Sequence, residues 1–207
     1  MHQTRSETTT KLPIRRKGTK YIARALHSHR TAVPVVIAVR EMLSLARTAK
    51  EVKEMVKDKI IQVNGRIVYD YREPVQLFNI LSVGNKSYVL SISETAKFIF
   101  SETKDSKKRL CKIVGKKLIN DNKLQVNLHD GTNFIGKKDM KTNDSVYLDN
   151  EGKVVKHIPI ASAKEIMVMS GKYIGQHGNI KSIKGNSAEI SFKEGSALLP
   201  LSNIIAL

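Results

Sequence analysis

The chain has few of the residues that build disulfides and large aromatic cores. Its 207 residues include one cysteine, no tryptophan and 5% aromatic residues. A single cysteine excludes a disulfide within the chain and a metal site built from a cysteine cluster. Cys111 lies in an apolar stretch, so we expect it to be buried as a small hydrophobic residue. The length and composition predict one to three small domains with modest cores.

Long apolar segments are also missing. The longest apolar run, Val33 to Val39, contains Pro34 and ends at Arg40. This run is far shorter than the roughly 20 residues that a membrane-spanning helix needs. Residues 1–10 are polar throughout, so we expect no secretory signal. We therefore expect a soluble, intracellular protein that does not associate with a membrane.

Acidic residues are scarce relative to basic ones. The 36 Lys and Arg against 19 Asp and Glu give a formal net charge of +17, which favours a polyphosphate partner such as RNA. Residues 1–33 alone contain eight Lys or Arg and one acid, with no helical or strand periodicity. We expect this basic extension to become ordered only against a partner, because it buries too little apolar surface alone. It is either an RNA-threading arm or a disordered, solubilising tail.

The segment 34–83 carries the clearest local signals. Thr48 and Glu51 have the spacing of a capping box, which predicts a helix beginning at residue 49 in which Glu51 accepts from the N–H of Thr48. Asn64-Gly65 lies between two β-branched runs and predicts a tight hairpin. Pro34 fits the first turn of a preceding helix. One face of the capped helix is basic and carries Arg47, Lys50, Lys53 and Lys57. A compact unit with such a face suggests RNA binding.

Short β runs separated by turn signals occupy residues 84–165. The candidate strands are 88–92, 97–101, 110–118, 124–128, 132–135, 145–148 and 154–160. The candidate turns lie at 120–122, 130–131 and 150–152. Such a pattern predicts a small β-barrel or sandwich. Its basic cluster comprises Lys107, Lys108, Arg109, Lys112, Lys116 and Lys117. The cluster is either an RNA contact or a solvated face.

Spaced glycines between Ser170 and Ile180 open the last segment. Their spacing matches neither a Walker loop nor a dinucleotide-binding fingerprint. Glycine in such a loop either lets a phosphate backbone approach the main chain or turns a corner in a small β-barrel. Both interpretations stay open from the sequence.

No catalytic or metal-binding pattern is recognisable. His27 and His29 could share a strand face, but no second pair completes a zinc site at the usual spacing. Asp130 could pair with Asp139, yet Asp130-Gly131 is better explained as a turn. No nucleophile motif of a known hydrolase type is present. We therefore predict no catalytic residue, no cofactor, no metal and no small-molecule substrate.

Several stretches resemble known RNA-binding modules. The stretches 45–53 (LARTAKEVK), 63–66 (VNGR) and 77–83 (LFNILSV) resemble the S4-type RNA-binding domain. The stretch 170–180 is similar to the KOW motif, and 110–116, 124–133 and 157–159 resemble one family's central domain. The order of these segments resembles the archaeal and eukaryotic S4e family of small-subunit ribosomal proteins. The chain length is closer to that of the archaeal members.

This resemblance implies an α+β fold with four parts. They are a basic extended N-terminal tail (1–33), an S4-type RNA-binding domain (34–83), a β-rich central domain (84–165) and a KOW-type small β-barrel (166–207). It also implies a structural ribosomal protein, not an enzyme, that supports translation in the cytoplasm. Its implied partners are small-subunit ribosomal RNA and neighbouring ribosomal proteins, without homo-oligomers. The predicted RNA-binding residues are Arg15, Arg16, Lys17, Lys20, Arg24, Arg40, Arg47, Lys50, Lys53, Lys57, Arg66, Lys107, Lys108, Arg109, Lys172 and His177.

Two alternative functions fit parts of the same pattern. A free-standing RNA-binding or elongation factor would also carry a KOW segment. An RNA-modifying enzyme would also carry an S4-type domain, but its catalytic domain would be larger than any remaining segment here.

Overall fold

The computed structural model describes residues 2–120, 123–136, 139–163, 165–193 and 195–207. The chain divides into two compact units. The first unit comprises Met1–Ile92 and Lys97–Lys107, and the second comprises Ser93–Ala96 and Lys108–Leu207. Within the described ranges, every helix is too short or too polar to cross a bilayer.

The first unit combines short helices with antiparallel strands. Its strands are β1 (His2–Thr4), β2 (Tyr21–Ala23), β3 (Ala32–Pro34), β4 (Ile61–Val63), β5 (Arg66–Ile67), β6 (Pro74–Gln76), β7 (Ile80–Val83), β8 (Lys86–Ile92) and β9 (Phe98–Thr103). The pairs β1–β2 and β3–β6 form small sheets, and a five-stranded sheet has the order β5-β4-β7-β8-β9. After β3 the chain enters helix α1 (Val35–Ile37), which continues as a π-helix over Ala38–Met42. Helix α2 (Ala49–Lys57) follows.

The predicted cap of α2 is confirmed, with one difference. The Thr48 hydroxyl accepts a hydrogen bond from the Glu51 N–H at 3.2 Å. The Glu51 carboxylate accepts from the N–H of Arg47 at 2.8 Å, one residue before the position that we predicted. Behind this cap, Val52 and Val56 are buried, so α2 packs its apolar stripe inward and turns its other faces to solvent.

The predicted hairpin is also confirmed. Asn64 and Gly65 have φ values of 53° and 77°, as a two-residue turn between β4 and β5 requires. The Asn64 carboxamide oxygen accepts from the Ile80 N–H at 2.9 Å, while the Asn64 N–H donates to the Ile80 carbonyl at 2.8 Å. Asn64 therefore forms the turn and also holds the β4–β7 register.

The sheet of the first unit extends beyond the expected boundary at residues 83/84. Strand β8 pairs with β7, and β9 pairs with β8, so this sheet ends at Thr103. The turn signal at Gly84 (φ 59°) belongs to a hairpin inside the sheet. A hairpin turn and a short linker have similar composition, and this similarity explains the difference.

The N-terminal extension does not have the extended form that we expected. Strand β1 pairs with β2, so the segment folds back on itself. Leu12 and Ala25 are buried, and the Lys11 carbonyl accepts from the Phe98 N–H at 2.8 Å. Leu12 and Ala25 thus pack within the first unit, which the composition of the segment alone does not reveal.

The second unit consists of two antiparallel five-stranded sheets. Its strands are β10 (Lys108–Asn120), β11 (Lys123–Leu128), β12 (Asn133–Gly136), β13 (Ser145–Asp149), β14 (Val154–Ile158), β15 (Glu165–Val168), β16 (His177–Lys184), β17 (Ser187–Phe192), β18 (Gly195–Pro200) and β19 (Ile204–Ala206). The orders are β12-β11-β10-β13-β14 and β18-β17-β16-β15-β19. Short 3₁₀ turns occupy Ile160–Ser162 and Leu201–Asn203. The five strands β10 to β14 match the predicted ones to within a few residues, whereas β15 to β19 had no predicted bounds.

The turns of this unit also follow the prediction where they are described. Gly131 and Gly152 have φ values of 81° and 82°, so both turns use the left-handed conformation that glycine favours. The predicted turn at residues 120–122 lies partly outside the described residues. Cys111 is fully buried, as expected, and burial raises the pKa of its thiol to about 12.

Candidate nucleic-acid interface

Helix α2 presents three lysines on one exposed face. Lys50, Lys53 and Lys57 recur at helical spacing and are exposed, because Val52 and Val56 direct the opposite side into the core. None of the three lysines has an ion-pair partner among the described residues. The Lys53 ammonium lies 4.8 Å from the ring centroid of Tyr71, a cation–π contact that fixes its position. This face can therefore contact anions without first losing a carboxylate partner.

One acid of α2, Glu51, is held by the helix cap. Two hydrogen bonds lower the pKa of Glu51. The bond from the Arg47 N–H has the larger effect, and the bond from the Thr48 hydroxyl has the next largest. The Arg47 side chain is exposed. The carboxylate of Glu51 therefore accepts hydrogen bonds from the N-terminus of its own helix and does not pair with the described lysines of this face.

The other predicted cations of the first unit differ in their surroundings. Arg66 is exposed in β5, whereas Arg40 is half-buried and paired with Glu41 at 2.8 Å. Arg24 is half-buried, with its guanidinium 3.4 Å from the His29 ring nitrogen. The ion pair and the packing reduce what Arg40 and Arg24 can offer to an external anion.

The N-terminal extension carries an exposed basic loop. Arg15, Arg16, Lys17 and Lys20 are all exposed, and none of them has an ion-pair partner in the described part of the chain. A cavity of about 560 Å³ is lined by Arg15 and Lys17 together with Arg40 and Ala49. The fold therefore brings cations of the extension close to the start of α2.

Arg5 closes this basic loop, a role that the sequence did not indicate. Its guanidinium donates to the Thr19 carbonyl at 2.8 Å, to the Thr19 hydroxyl at 3.2 Å, and to the Arg15 carbonyl. A Cβ at Gly18 would lie 2.7 Å from this guanidinium, so glycine at that position leaves the room that Arg5 needs. An arginine that binds backbone carbonyls has no sequence signature.

The basic cluster of the central sheet is only partly exposed. Lys107 and Lys108 are exposed, but Arg109 is buried, and its Nε lies 3.4 Å from the Asp130 carboxylate. This burial and the pairing with Asp130 weigh against the predicted contact of Arg109 with RNA. Strand alternation places Arg109 on the same face as Cys111, and that face packs against the core.

Lys112 of the same cluster is buried as well. Its ammonium donates to the carbonyls of Leu201, Ser202 and Ile204 at 2.6 to 2.7 Å. Burial lowers the pKa of this ammonium to about 8. Lys112 therefore joins the two sheets of the second unit and does not contribute to its basic surface.

The glycine-rich loop before β16 is explained largely by packing. A Cβ at Gly175 would lie 2.1 Å from the Ser93 carbonyl oxygen, and one at Gly178 would lie 2.7 Å from Ile190 and Ser191. Lys172 and His177 remain exposed, with His177 3.5 Å from the Glu165 carboxylate. These two glycines are required for close contacts inside the unit. Such contacts are a reason for glycine beyond the chain turns in a small barrel that we considered from the sequence.

The residues considered for catalysis or metal binding have structural roles or stay apart. His27 and His29 flank Ser28, which has a φ of 52°, in a loop outside the strands. The Asp130 carboxylate accepts from the Thr132 N–H at 2.9 Å within its turn. Across the described ranges, no group of three or more His, Cys, Asp or Glu side chains is arranged to hold a metal ion.

Comparison with known proteins identifies the family. A model of the ribosomal family S4e matches residues 84–155. The small ribosomal subunit protein eS4 of Methanocella arvoryzae is 35% identical over 178 residues, which cover 83% of this chain and 76% of the relative. The chain belongs to the S4e family. The eS4 protein of Archaeoglobus fulgidus is 34% identical over 189 residues, covering 89% of this S4e chain and 80% of that relative.

A solved structure has the same fold as this S4e chain. The crystal structure of the 30S ribosomal protein S4e from Thermoplasma acidophilum superposes with a TM-score of 0.73. The match covers 86% of this chain and 95% of that protein, at 19% sequence identity. The arrangement of strands and short helices described above is thus the fold of an S4e protein.

Proposed function

We propose that this chain is a structural constituent of the small ribosomal subunit that binds ribosomal RNA through its exposed cations. Its relatives are named small ribosomal subunit protein eS4, and these names support a site of action in the ribosome and so in the cytoplasm. The observation that carries the RNA contact is the α2 face, where Lys50, Lys53 and Lys57 are exposed without a carboxylate partner. Its neighbours would be other ribosomal proteins.

The proposed mechanism is electrostatic and shape-dependent. Lysine and arginine side chains neutralise phosphates and release condensed counterions, so the affinity falls steeply with salt. Double-stranded RNA is read mostly through its backbone and 2′-hydroxyl groups, which suits a helix face that carries several cations. The basic loop of the extension, Arg15 to Lys20, would add further phosphate contacts beside it.

The module assignments belong to this proposal. Residues 34–103, including the strands that extend the expected domain, would be the S4-type RNA-binding domain. The sheet β15–β19 would be the KOW-type small barrel, because its loop 170–180 carries the glycines and the exposed Lys172 and His177. Arg24, Arg40, Arg66, Lys107 and Lys108 would make peripheral contacts.

The test is a salt titration of binding to a fragment of small-subunit ribosomal RNA. The triple variant Lys50→Gln, Lys53→Gln, Lys57→Gln should bind more weakly and lower the log–log salt slope by about 2 to 3, at roughly 0.7–0.9 per lost phosphate contact. A control with the same charge change, Lys181→Gln, Lys184→Gln, Lys193→Gln, alters exposed lysines of the second unit.

The control variant should keep most of the wild-type slope. Equal losses for both triple variants would contradict a specific contact at α2, and an affinity independent of salt would contradict the electrostatic mechanism. Circular dichroism of each variant checks that the fold is intact.

A further inference from the structure

Two adjoining cavities of the first unit have complementary linings. The first, of about 750 Å³, is lined by six basic and six hydroxyl-bearing side chains, and no carboxylate of the described residues lines it. The second, of about 560 Å³, is lined by Tyr21 and Tyr71, by basic residues and by one acid, Glu41. Both cavities share Arg15, Lys17 and Thr19 as lining residues, so the two cavities adjoin.

The first cavity has the chemistry of a phosphate site. Guanidinium and ammonium groups, together with hydroxyl donors, are the usual ligands of phosphate oxygens. Arg15, Arg16 and Lys17 have no ion-pair partner among the described residues, and all three are exposed to an incoming anion. Arg5 keeps the loop closed through its bonds to Thr19, so the cations are held around the cavity.

The second cavity has the chemistry of a base site. Tyr21 belongs to β2 and pairs with Thr4 of β1. The backbone of Tyr71 is held because its carbonyl accepts from the Val36 N–H at 2.8 Å, and its ring also contacts the Lys53 ammonium, which lies 4.8 Å from the ring centroid. Unpaired RNA bases stack on such aromatic side chains. The cavity volume lies within the range of about 300–1,000 Å³ that is typical of small-molecule sites.

We propose that these cavities bind one unstacked nucleotide of single-stranded RNA, with its base against Tyr21 and Tyr71 and its phosphates on Arg15 and Lys17. The inference rests on the proposed function and adds to it a site for an unpaired nucleotide. Arg16 and Lys20 line the first cavity beyond the base site, so phosphates that flank the bound nucleotide would also find cations. This extended cationic lining favours a nucleotide within a strand over a free mononucleotide.

The experiment uses the full chain and an RNA hexamer with 2-aminopurine at its centre. Stacking on a tyrosine quenches 2-aminopurine, so the wild type should reduce its fluorescence on binding. Tyr71→Leu should weaken binding by about 5- to 150-fold, the range that loss of one base–aromatic stack gives. Tyr71→Phe should keep near-wild-type affinity because its ring still stacks.

Two control substitutions, Tyr69→Leu and Lys181→Gln, show whether the effects are specific to the cavities. Tyr69→Leu changes a tyrosine that is 78% exposed and does not line either cavity, and it should leave hexamer affinity unchanged. Tyr21→Leu repeats the test from the other wall, in case Tyr71→Leu lowers the melting temperature. Lys17→Gln should weaken hexamer binding more than Lys181→Gln does.

The possible outcomes separate this inference from the proposed function. If the wild type binds the ribosomal RNA fragment but Tyr71→Leu and Tyr21→Leu match Tyr69→Leu, the nucleotide site is overturned and the proposed function stands. If the wild type binds neither RNA at low salt, both are overturned. Adenosine monophosphate that binds as tightly as the hexamer would overturn the assignment to an RNA strand.

Discussion

Replacing Lys112 with methionine should destabilise the second unit by about 3 kcal/mol. The substitution keeps the length of the side chain but leaves the carbonyls of Leu201, Ser202 and Ile204 without their donor. Each unpaired buried carbonyl costs about 1–3 kcal/mol. The loss is offset in part because methionine removes a buried charge. Burial lowers the pKa of Lys112 from 10.5 to about 8. This shift means that keeping the ammonium charged in the folded state costs about 3 kcal/mol, a cost that methionine does not carry.

The assay is urea unfolding of the full chain at pH 7, followed by circular dichroism. With a slope of about 1–3 kcal/mol per molar urea, the midpoint of the transition that involves the second unit should fall by about 1–3 M. Lys117→Met, an exposed position on the same strand, should leave this midpoint unchanged. A Lys112→Met protein as stable as the wild type would refute the role assigned to the three hydrogen bonds.

Three further predictions concern local structure. Thr48→Ala should destabilise the chain by about 1 kcal/mol, because it removes the helix cap. Gly152→Ala and Gly175→Ala introduce a side chain at φ values of 82° and 80°, so both carry a backbone cost of about 1 kcal/mol. Gly175→Ala should cost about 3 kcal/mol or more, because its Cβ also meets the Ser93 carbonyl. The free energy of unfolding of the wild type should rise relative to Lys112→Met as the pH increases from 8 to 10.5, because the unfolded state then binds more protons at Lys112.

Thermal and urea unfolding measure each of these changes. Equal stabilities of Gly152→Ala and Gly175→Ala would contradict the close contact between Gly175 and Ser93. Parallel pH profiles of the wild type and Lys112→Met would mean that burial does not lower the pKa of Lys112. An unchanged stability of Thr48→Ala would mean that water replaces the cap.

The local signals of the first unit could be predicted from sequence because each one is complete within a few residues. The cap at Thr48 needs only Glu51 three positions later, and the turn at Asn64 needs only a following glycine. The alternating patterns of the second unit likewise define strands β10 to β14, because burial on one face of a sheet repeats every second residue. Such features depend little on the rest of the chain.

The buried cations could not be predicted because their partners are distant in sequence. Arg109 pairs with Asp130, and Lys112 binds carbonyls about 90 residues later. In the sequence, both belong to a basic run that looks uniformly solvated. Only the pairing of β10 between two strands shows which members of that run face the interior.

The candidate RNA site was predicted by residue type but not by arrangement. The sequence indicated the lysines of α2 and the cations of the extension as separate surfaces. The fold of the extension depends on the Arg5 guanidinium and on burial of Leu12, neither of which has a local signature. The cavities beside Tyr71 follow from that fold and could not be anticipated.

Sedimentation of a tagged form of this chain in cell extract tests the central claim most directly. After a high-salt wash, the protein should migrate with small ribosomal subunits, and the variant with glutamine at positions 50, 53 and 57 should be depleted from that fraction. A wild-type protein found only at the top of the gradient, or on subunits only at low salt, would contradict a structural role and favour a free-standing RNA-binding factor.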